Sequence, residues 1–235
     1  MRGTLSGMRT LCIDVGGTGI KGMVLNGKGT PATERVRIET PNPATPDAVV
    51  AVIQVIATQL GKFDRISVGF PGVVSGGVTR TAPNLGPGWG EFALADAVAT
   101  ALGKPVRAAN DAGVQGLGVI EGTGVEMVIT LGTGMGFGLY VDGRYVPNIE
   151  MAHHPYRRKR TYEERIGNAA RKRVGNARWN TRVTEVIAQL APIFNYRVLY
   201  LGGGNAKFLD SAALPANVRI VDNAAGILGG VKLWE

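Results

Sequence analysis

Short apolar runs of period 2 alternate with stretches of helical period along the chain. The opening LCIDVGGTGIKGMVL (11–25) places two Ile/Val/Leu-rich runs on either side of a glycine-rich reversal and reads as two strands. ATERVRIE (32–39) gives a third. TPDAVVAVIQVIATQL (45–60) has helical spacing, with Pro46 and Asp47 in its first turn and Gly61 past its end. RISVGF (65–70) is a buried strand that runs into the turn-rich PGVVSGG (71–77). GEFALADAVATALG (90–103) is a second amphipathic helix, and KPVRAAND (104–111) a short strand ending in polar residues. The order βββαβαβ predicts an α/β layer structure.

The second half starts the same way. Placed in register, IDVGGTGIKGMVL (13–25) and ITLGTGMGFGLYV (129–141) show one strand–turn–strand pattern, with Gly16 on Gly132 and Gly22 on Gly138. Two such turns on related lobes would face each other across a cleft and hold successive phosphates. Residues 160–174 and 176–194 read as helices, 196–209 as strand, triple-glycine turn and helix, and 217–221 as a last strand. A strand entering a helix through glycines is itself an anion-binding pattern. The expected organisation is an N-terminal lobe over 8–109, a C-terminal lobe over 110–222, and a terminal helix in 223–235 packing back on the first lobe.

Composition narrows the class. With 235 residues, 45% hydrophobic and 19% charged, the chain can bury a full core. No run approaches the roughly 18 apolar residues of a membrane span. MRGTLSGM lacks the apolar core of a signal peptide, and Met8 is an alternative start. The single Cys12 leaves no disulfide to form within the chain and no cysteine cluster for zinc, so a cytoplasmic location is expected. The net charge of +8 favours acidic partners such as nucleic acid, polyphosphate or a nucleotide, or else marks a solvated basic surface. Its densest run is RRKR (157–160). No RNP, zinc-finger or basic-zipper pattern accompanies it, so neither nucleic acid nor membrane is the expected partner.

Several residues are candidates for chemistry. The small residues of 16–19 let a ligand approach the backbone, whose N–H groups suit an anion; an ordinary glycine-rich hairpin is the alternative. A Walker A loop does not fit, because Lys21 is followed by Gly22 and more strand. In AANDAG (108–113), Asp111 stands where a strand meets a helix, as a base for a hydroxyl proton or as a helix cap. Glu150 and His153 in PNIEMAHHP offer an acceptor and an ambivalent partner to a polyhydroxylated ligand. Their E-x-x-H spacing also suits a metal, but with no cysteine nearby and two histidines in the whole chain none is expected there. Asn84 and Trp89 in TAPNLGPGWG form either a sugar-facing loop or one whose Trp packs on the core.

In this order the pieces resemble the ROK family of sugar kinases, especially its polyphosphate glucokinases and glucomannokinases. The D-x-G-G-T-x-x-K pattern is met by Asp14, Gly16, Gly17, Thr18 and Lys21, the second phosphate loop by LGTGMG, the catalytic ND by Asn110 and Asp111, and E-x-x-H by Glu150 and His153. LGGG (201–204), PGVV, T-A-x-N-L-x-x-x-W and VDG…VPN-x-E extend the likeness over residues 8–234. The resemblance implies an actin-like (ribonuclease H-like) two-lobe α/β fold with a cleft between the lobes. It implies a hexokinase passing a phosphoryl group from polyphosphate or ATP to the 6-hydroxyl of glucose or a close hexose. Asp111 would be the base. Asn84, Asn110, Glu150 and His153 would hold the sugar, with Glu163, or its rival Glu164, as a second glutamate. Gly16, Gly17, Thr18, Lys21, Gly132, Thr133, Gly134 and Gly202, Gly203 and Gly204 would surround the donor, and Asp14 would help position Mg²⁺ through water. Relatives are often dimers, so a homodimer is within expectation.

One segment departs from the family. E-L-G-H followed by small or acidic residues is replaced by EMAHHPYRRKR (150–160), with Ala152 in the place of a glycine beside His153. Either the basic run steers a polyanionic donor, or the sugar site is altered: a kinase for mannose or an N-acetylhexosamine, or a sugar binder without turnover.

Overall fold

Two five-stranded sheets, each with the same neighbour order, organise the computed structural model of the chain. The structure describes residues 7–83, 85–157, 159–221 and 225–235. They form two units, one running to Gly118 and taking in the C-terminal segment, the other beginning at Val119. No helix among the described residues is long and apolar enough to cross a membrane.

The first unit contains β1 (Thr10–Val15), β2 (Ile20–Leu25), β3 (Val36–Ile38), α1 (Pro46–Leu60), β4 (Arg65–Phe70), β5 (Val74–Ser75), β6 (Val78–Thr79), α2 (Leu94–Leu102), β7 (Val106–Asn110) and α3 (Asp111–Leu117). Its sheet runs β3-β2-β1-β4-β7, antiparallel through the opening hairpin and parallel from β1 to β7. β4 is buried at every position, as a parallel strand covered on both faces must be. α1 starts on Pro46, stops at Gly61 with φ 79°, and buries Val49, Ile53 and Ile56 against the sheet. A Cβ on Gly22 would stand 2.3 Å from Ile56 Cγ2, so this glycine serves close helix–sheet packing. Trp89 is a core residue: it packs on Phe70 and Phe92, at 4.6 and 5.6 Å between ring centroids, and donates to the Ala44 carbonyl.

The expected terminal helix is a short helix, Ala225–Leu228, followed by a 3-10 stretch, Gly229–Trp234. Ile227 and Val231 pack with Cys12 and Leu25, and Ser67 donates to the Gly230 carbonyl. Burial pushes the Cys12 thiol up to about 12, against a smaller opposing pull from Arg65. A Cβ on Gly229 would lie 1.9 Å from the Val114 carbonyl oxygen of α3. Because α3 packs on β4 and on this segment, the division falls after Gly118, whereas the sequence reading placed it at 109.

The second unit contains β8 (Val125–Leu131), β9 (Met135–Val141), β10 (Arg144–Val146), β11 (Pro155–Arg157), β12 (Arg160–Thr161), α4 (Tyr162–Ile166), α5 (Asn168–Val174), α6 (Asn176–Phe194), β13 (Val198–Gly202) and β14 (Val218–Ile220). The order β10-β9-β8-β13-β14 repeats that of the first unit. The hairpins differ by one residue in turn length. Gly22 pairs with Ile13, but Gly138 pairs with Val128, so the partner of Ile129 and structural equivalent of Gly22 is Phe137. An ungapped alignment therefore matches Gly16 with Gly132 but slips by one beyond the turn, where a single step exchanges the sheet faces.

Glu126 anchors the start of β8. Fully buried, it accepts from the backbone N–H groups of Glu121, Gly122 and Thr123, from the Tyr200 hydroxyl at 2.9 Å and from Arg197 at 3.1 Å. Burial alone would raise its pKa; these donors outweigh that and hold the carboxyl below its ordinary value. The same pair pushes the Tyr200 hydroxyl up to about 12, burial leading and the Glu126 carboxylate adding to it. Glu126→Ala should lower unfolding stability by about 3 kcal/mol at neutral pH, since three N–H groups and a guanidinium lose their acceptor. A depressed carboxyl stabilises above its unfolded pKa, and that contribution disappears as pH falls through the folded value, so the variant and the parent should converge in acid. Urea titrations at neutral and acid pH check this; a constant difference would refute the role.

Candidate active site

In the first unit the hairpin turn 16–19 closes through Gly16 N–H donating to the Gly19 carbonyl at 3.1 Å. No glycine from 16 to 22 has a left-handed φ. What these positions require is closeness: a Cβ on Gly16 would meet the Gly19 carbonyl oxygen at 2.9 Å, and one on Gly19 the Arg37 guanidinium at 2.6 Å. Gly17 and Thr18 form the exposed tip. Arg37, opposite Lys21 on β3, donates to the Thr18 carbonyl at 2.8 Å, and Thr40 donates to that of Gly16. Sequence reasoning missed both residues, because only the register of β3 brings them to the turn.

Asp14 and Lys21 face each other across β1 and β2, with Nζ 3.0 Å from Oδ2. Asp111 borders the same crevice as Asp14, a space of about 10 Å³ also lined by Gly69 and Ser67. That is room for about one water molecule. The cap of α3 is Asn110, whose Oδ1 accepts from Gly113 N–H at 3.1 Å while Nδ2 donates to the Gly72 carbonyl at 3.2 Å. Asp111 is the first helical residue, its Oδ1 2.7 Å from the Ala112 nitrogen. The N-cap is thus Asn110, and Asp111, one residue on, lines the crevice with Asp14.

The second unit assembles a turn of its own. Gly132 N–H donates to the Gly134 carbonyl at 3.0 Å, with Thr133 exposed at the tip. Three neighbours brace it. Glu163 Oε2 accepts from Met135 N–H at 3.2 Å and occupies the space that a Cβ on Gly134 would need, 2.0 Å away. Asn168 N–H reaches the Gly132 and Thr133 carbonyls at 3.2 and 3.3 Å. Asn205 donates from its backbone to Leu131 and from Nδ2 to Gly132, both at 2.9 Å.

These contacts explain two departures from the expected elements. The helix expected over 160–174 breaks at Gly167, where a Cβ would meet the Glu163 and Thr133 carbonyl oxygens at 2.8 and 3.2 Å. Past Gly202, Gly203 takes φ 89° and presses on Leu131, and only a 3-10 turn, Ala206–Phe208, follows in place of the expected helix. Gly203 thus packs its backbone on the end of β8, one residue before the 132–134 turn. Of the two rival glutamates, Glu164 closes a capping box with Thr161, and Glu163 is the one at the turn.

Glu150 and His153 are exposed at a 3-10 turn, Met151–His153, whose Ala152 is buried in the core of the second unit. The methyl of Ala152 is therefore packed in that core, one residue before the exposed His153. Asn84 lies outside the described residues.

Mg²⁺ is tested by the donor set. Among the described residues no group of three or more His, Cys, Asp or Glu could hold a metal alone. Asp14, which lines one crevice with Asp111, offers the single carboxylate that suits Mg²⁺ when phosphate oxygens and waters complete its shell. The residues fit.

Paired units of repeated sheet order, each led by a hairpin with a small-residue turn, define an actin-like α/β phosphotransferase fold. The ROK family profile matches residues 10–150, and the chain belongs to the ROK family. It is 30% identical over 233 residues to the polyphosphate glucokinase of Mycobacterium tuberculosis (strain CDC 1551 / Oshkosh), covering 92% of this chain and 88% of that one. The inorganic polyphosphate/ATP-glucomannokinase of Arthrobacter sp. strain KM matches with a TM-score of 0.86 at 29% identity, over 97% of this chain and 100% of the other. A ROK glucokinase from Streptomyces griseus in complex with glucose and AMPPNP has a TM-score of 0.74 at 20% identity, over 96% and 98%, a likeness of fold.

Proposed function

We propose that the chain is a hexokinase that transfers a phosphoryl group from polyphosphate or ATP to the 6-hydroxyl of glucose or a close hexose. The observation that carries the reading is that Asp111, the first residue of α3 after its Asn110 cap, lines one crevice with Asp14. A loose phosphoryl-transfer transition state needs positioning and charge more than covalent chemistry. Asp111 accepts the proton of the attacking hydroxyl, and Asn110 holds the strand end from which Asp111 projects. Glu150 and His153 accept and donate to the other hydroxyls. Glu163 works from behind the Gly132–Gly134 turn, fixing Met135 so that the turn presents a constant surface to the donor; Gly17, Thr18 and Lys21 do so in the first unit. Asp14 would help position Mg²⁺ through water, and the ion when bound neutralises charge on the donor phosphates. The relatives named polyphosphate glucokinase and polyphosphate/ATP-glucomannokinase support both donors, and the latter favours mannose as a second acceptor.

³¹P NMR of the purified protein with Mg²⁺ and glucose or mannose, supplied with ATP and with polyphosphate in separate tubes, tests this. A hexose 6-phosphate resonance is expected with glucose. Its absence from every tube, for folded protein, would overturn the reading.

A further inference from the structure

Outside these turns, the second unit gathers six arginines on one groove of about 400 Å³: Arg157 and Arg160 from the β11–β12 hairpin, Arg165 from α4, Arg173 from α5, and Arg178 and Arg182 from α6. Glu185 pairs with Arg165 at 2.6 Å. The other five have no ion pair among the described residues. Arg165 Nε and Arg182 Nη1 are buried without a hydrogen-bond partner. Burial, with the charges of Arg165, Arg178, Arg173 and Arg160, lowers the pKa of Arg182. Arg178 and Arg182 stand four apart on one face of α6, where like charges oppose helix stability. Four elements thus converge cations that repel one another, an arrangement that an anion with repeated charge would relieve.

We infer that this groove is a binding site for a linear polyphosphate chain, holding phosphates beyond the one transferred. The inference rests on the proposed donor. Guanidinium groups bind phosphate oxygens through paired N–H donors, and six of them suit a ligand that offers oxygens at every unit. The groove lies next to the turn already described: α4 carries Glu163 toward Gly134 and Arg165 toward the groove, across a helix about 10 Å wide. Single-stranded nucleic acid is the other candidate for such a charge, but it is held by successive aromatic platforms as well as cations, and among the described residues arginines line this groove, with Tyr156 against Arg165 at 5.9 Å. A nucleotide triphosphate is too short to gain from all six. Long chains should therefore depend on the groove and ATP should not.

The test uses Arg173→Gln/Arg178→Gln, two exposed side chains whose replacement leaves the core untouched. Long-chain polyphosphate, tripolyphosphate and a single-stranded RNA of matched charge are titrated by calorimetry against parent and variant. KM for long-chain polyphosphate, ATP and glucose is measured in parallel. Affinity for the long chain should fall about tenfold or more, with an equal rise in its KM, while KM for ATP and glucose and the melting temperature stay unchanged. Salt should weaken long-chain binding more steeply than ATP binding. Unchanged long-chain affinity in the variant, or an equal loss for ATP, overturns the inference; so does tighter binding of the RNA. Loss of long-chain binding in a protein that phosphorylates no hexose would uphold the groove and remove the hexokinase reading. Turnover of glucose with ATP, together with variant-insensitive polyphosphate binding, would do the reverse.

Discussion

Asp111→Asn should lower kcat by roughly 10²- to 10⁴-fold, the usual contribution of a positioned base, with little change in sugar affinity. The substitution keeps the side chain's size and a hydrogen-bonding oxygen but removes its ability to take the hydroxyl proton. Folding should hardly respond, because Asn110 supplies the α3 cap by accepting from Gly113. The loss of a negative charge in the first turn of a helix costs about 0.3–1 kcal/mol. The two roles open to Asp111 in the sequence thus predict different pairs of numbers. Both roles share that small loss of stability; a base loses turnover as well, whereas an aspartate that serves only the helix keeps it. Steady-state kinetics with glucose and ATP, run beside thermal unfolding, separates them. Near-parental kcat would refute the catalytic assignment while leaving the crevice shared with Asp14 intact.

Gly203→Ala should destabilise the protein by about 3 kcal/mol and weaken use of either donor. Two effects coincide there. The backbone sits at φ 89°, where an L side chain is strained, and the added Cβ would stand 2.4 to 2.6 Å from the nitrogen, carbonyl oxygen and carbonyl carbon of Leu131. Strain of 1–3 kcal/mol and overpacking of similar size are typical of such positions, hence about 3 kcal/mol together. Leu131 is the last residue of β8 and precedes Gly132, so relief of the clash must move the turn that Asn205 and Asn168 brace. A raised KM for donor with an unchanged KM for glucose is the expected kinetic signature. Gly204, whose Cβ would meet nothing within 4 Å, is the control: Gly204→Ala should be nearly silent. If both alanines behave alike, the packing of the triple glycine against β8 does not shape the turn.

The sequence by itself determined most strands of the two five-stranded sheets, though not the short pairs β5–β6 and β11–β12, together with the two main helices of the first unit, the doubled hairpin and the order of motifs that belongs to the ROK family. Those features are local: period-2 runs of Ile, Val and Leu, a proline at the start and a glycine at the end of α1, small residues at each turn. Tertiary structure decided what the residues touch. It gave the cap of α3 to Asn110, the capping box to Glu164 and the turn contact to Glu163, choices between neighbours that spacing treats as equal. It put Trp89 in the core, broke the helix expected over 160–174 at Gly167, and shortened the second hairpin turn by one residue. It carried Arg37 onto the first turn and collected Arg165, Arg173, Arg178 and Arg182 beside a basic run that ends at Arg160. In each case the deciding contact joins residues far apart in the chain or picks one of two adjacent side chains, and only strand register and helix packing specify which way a side chain points.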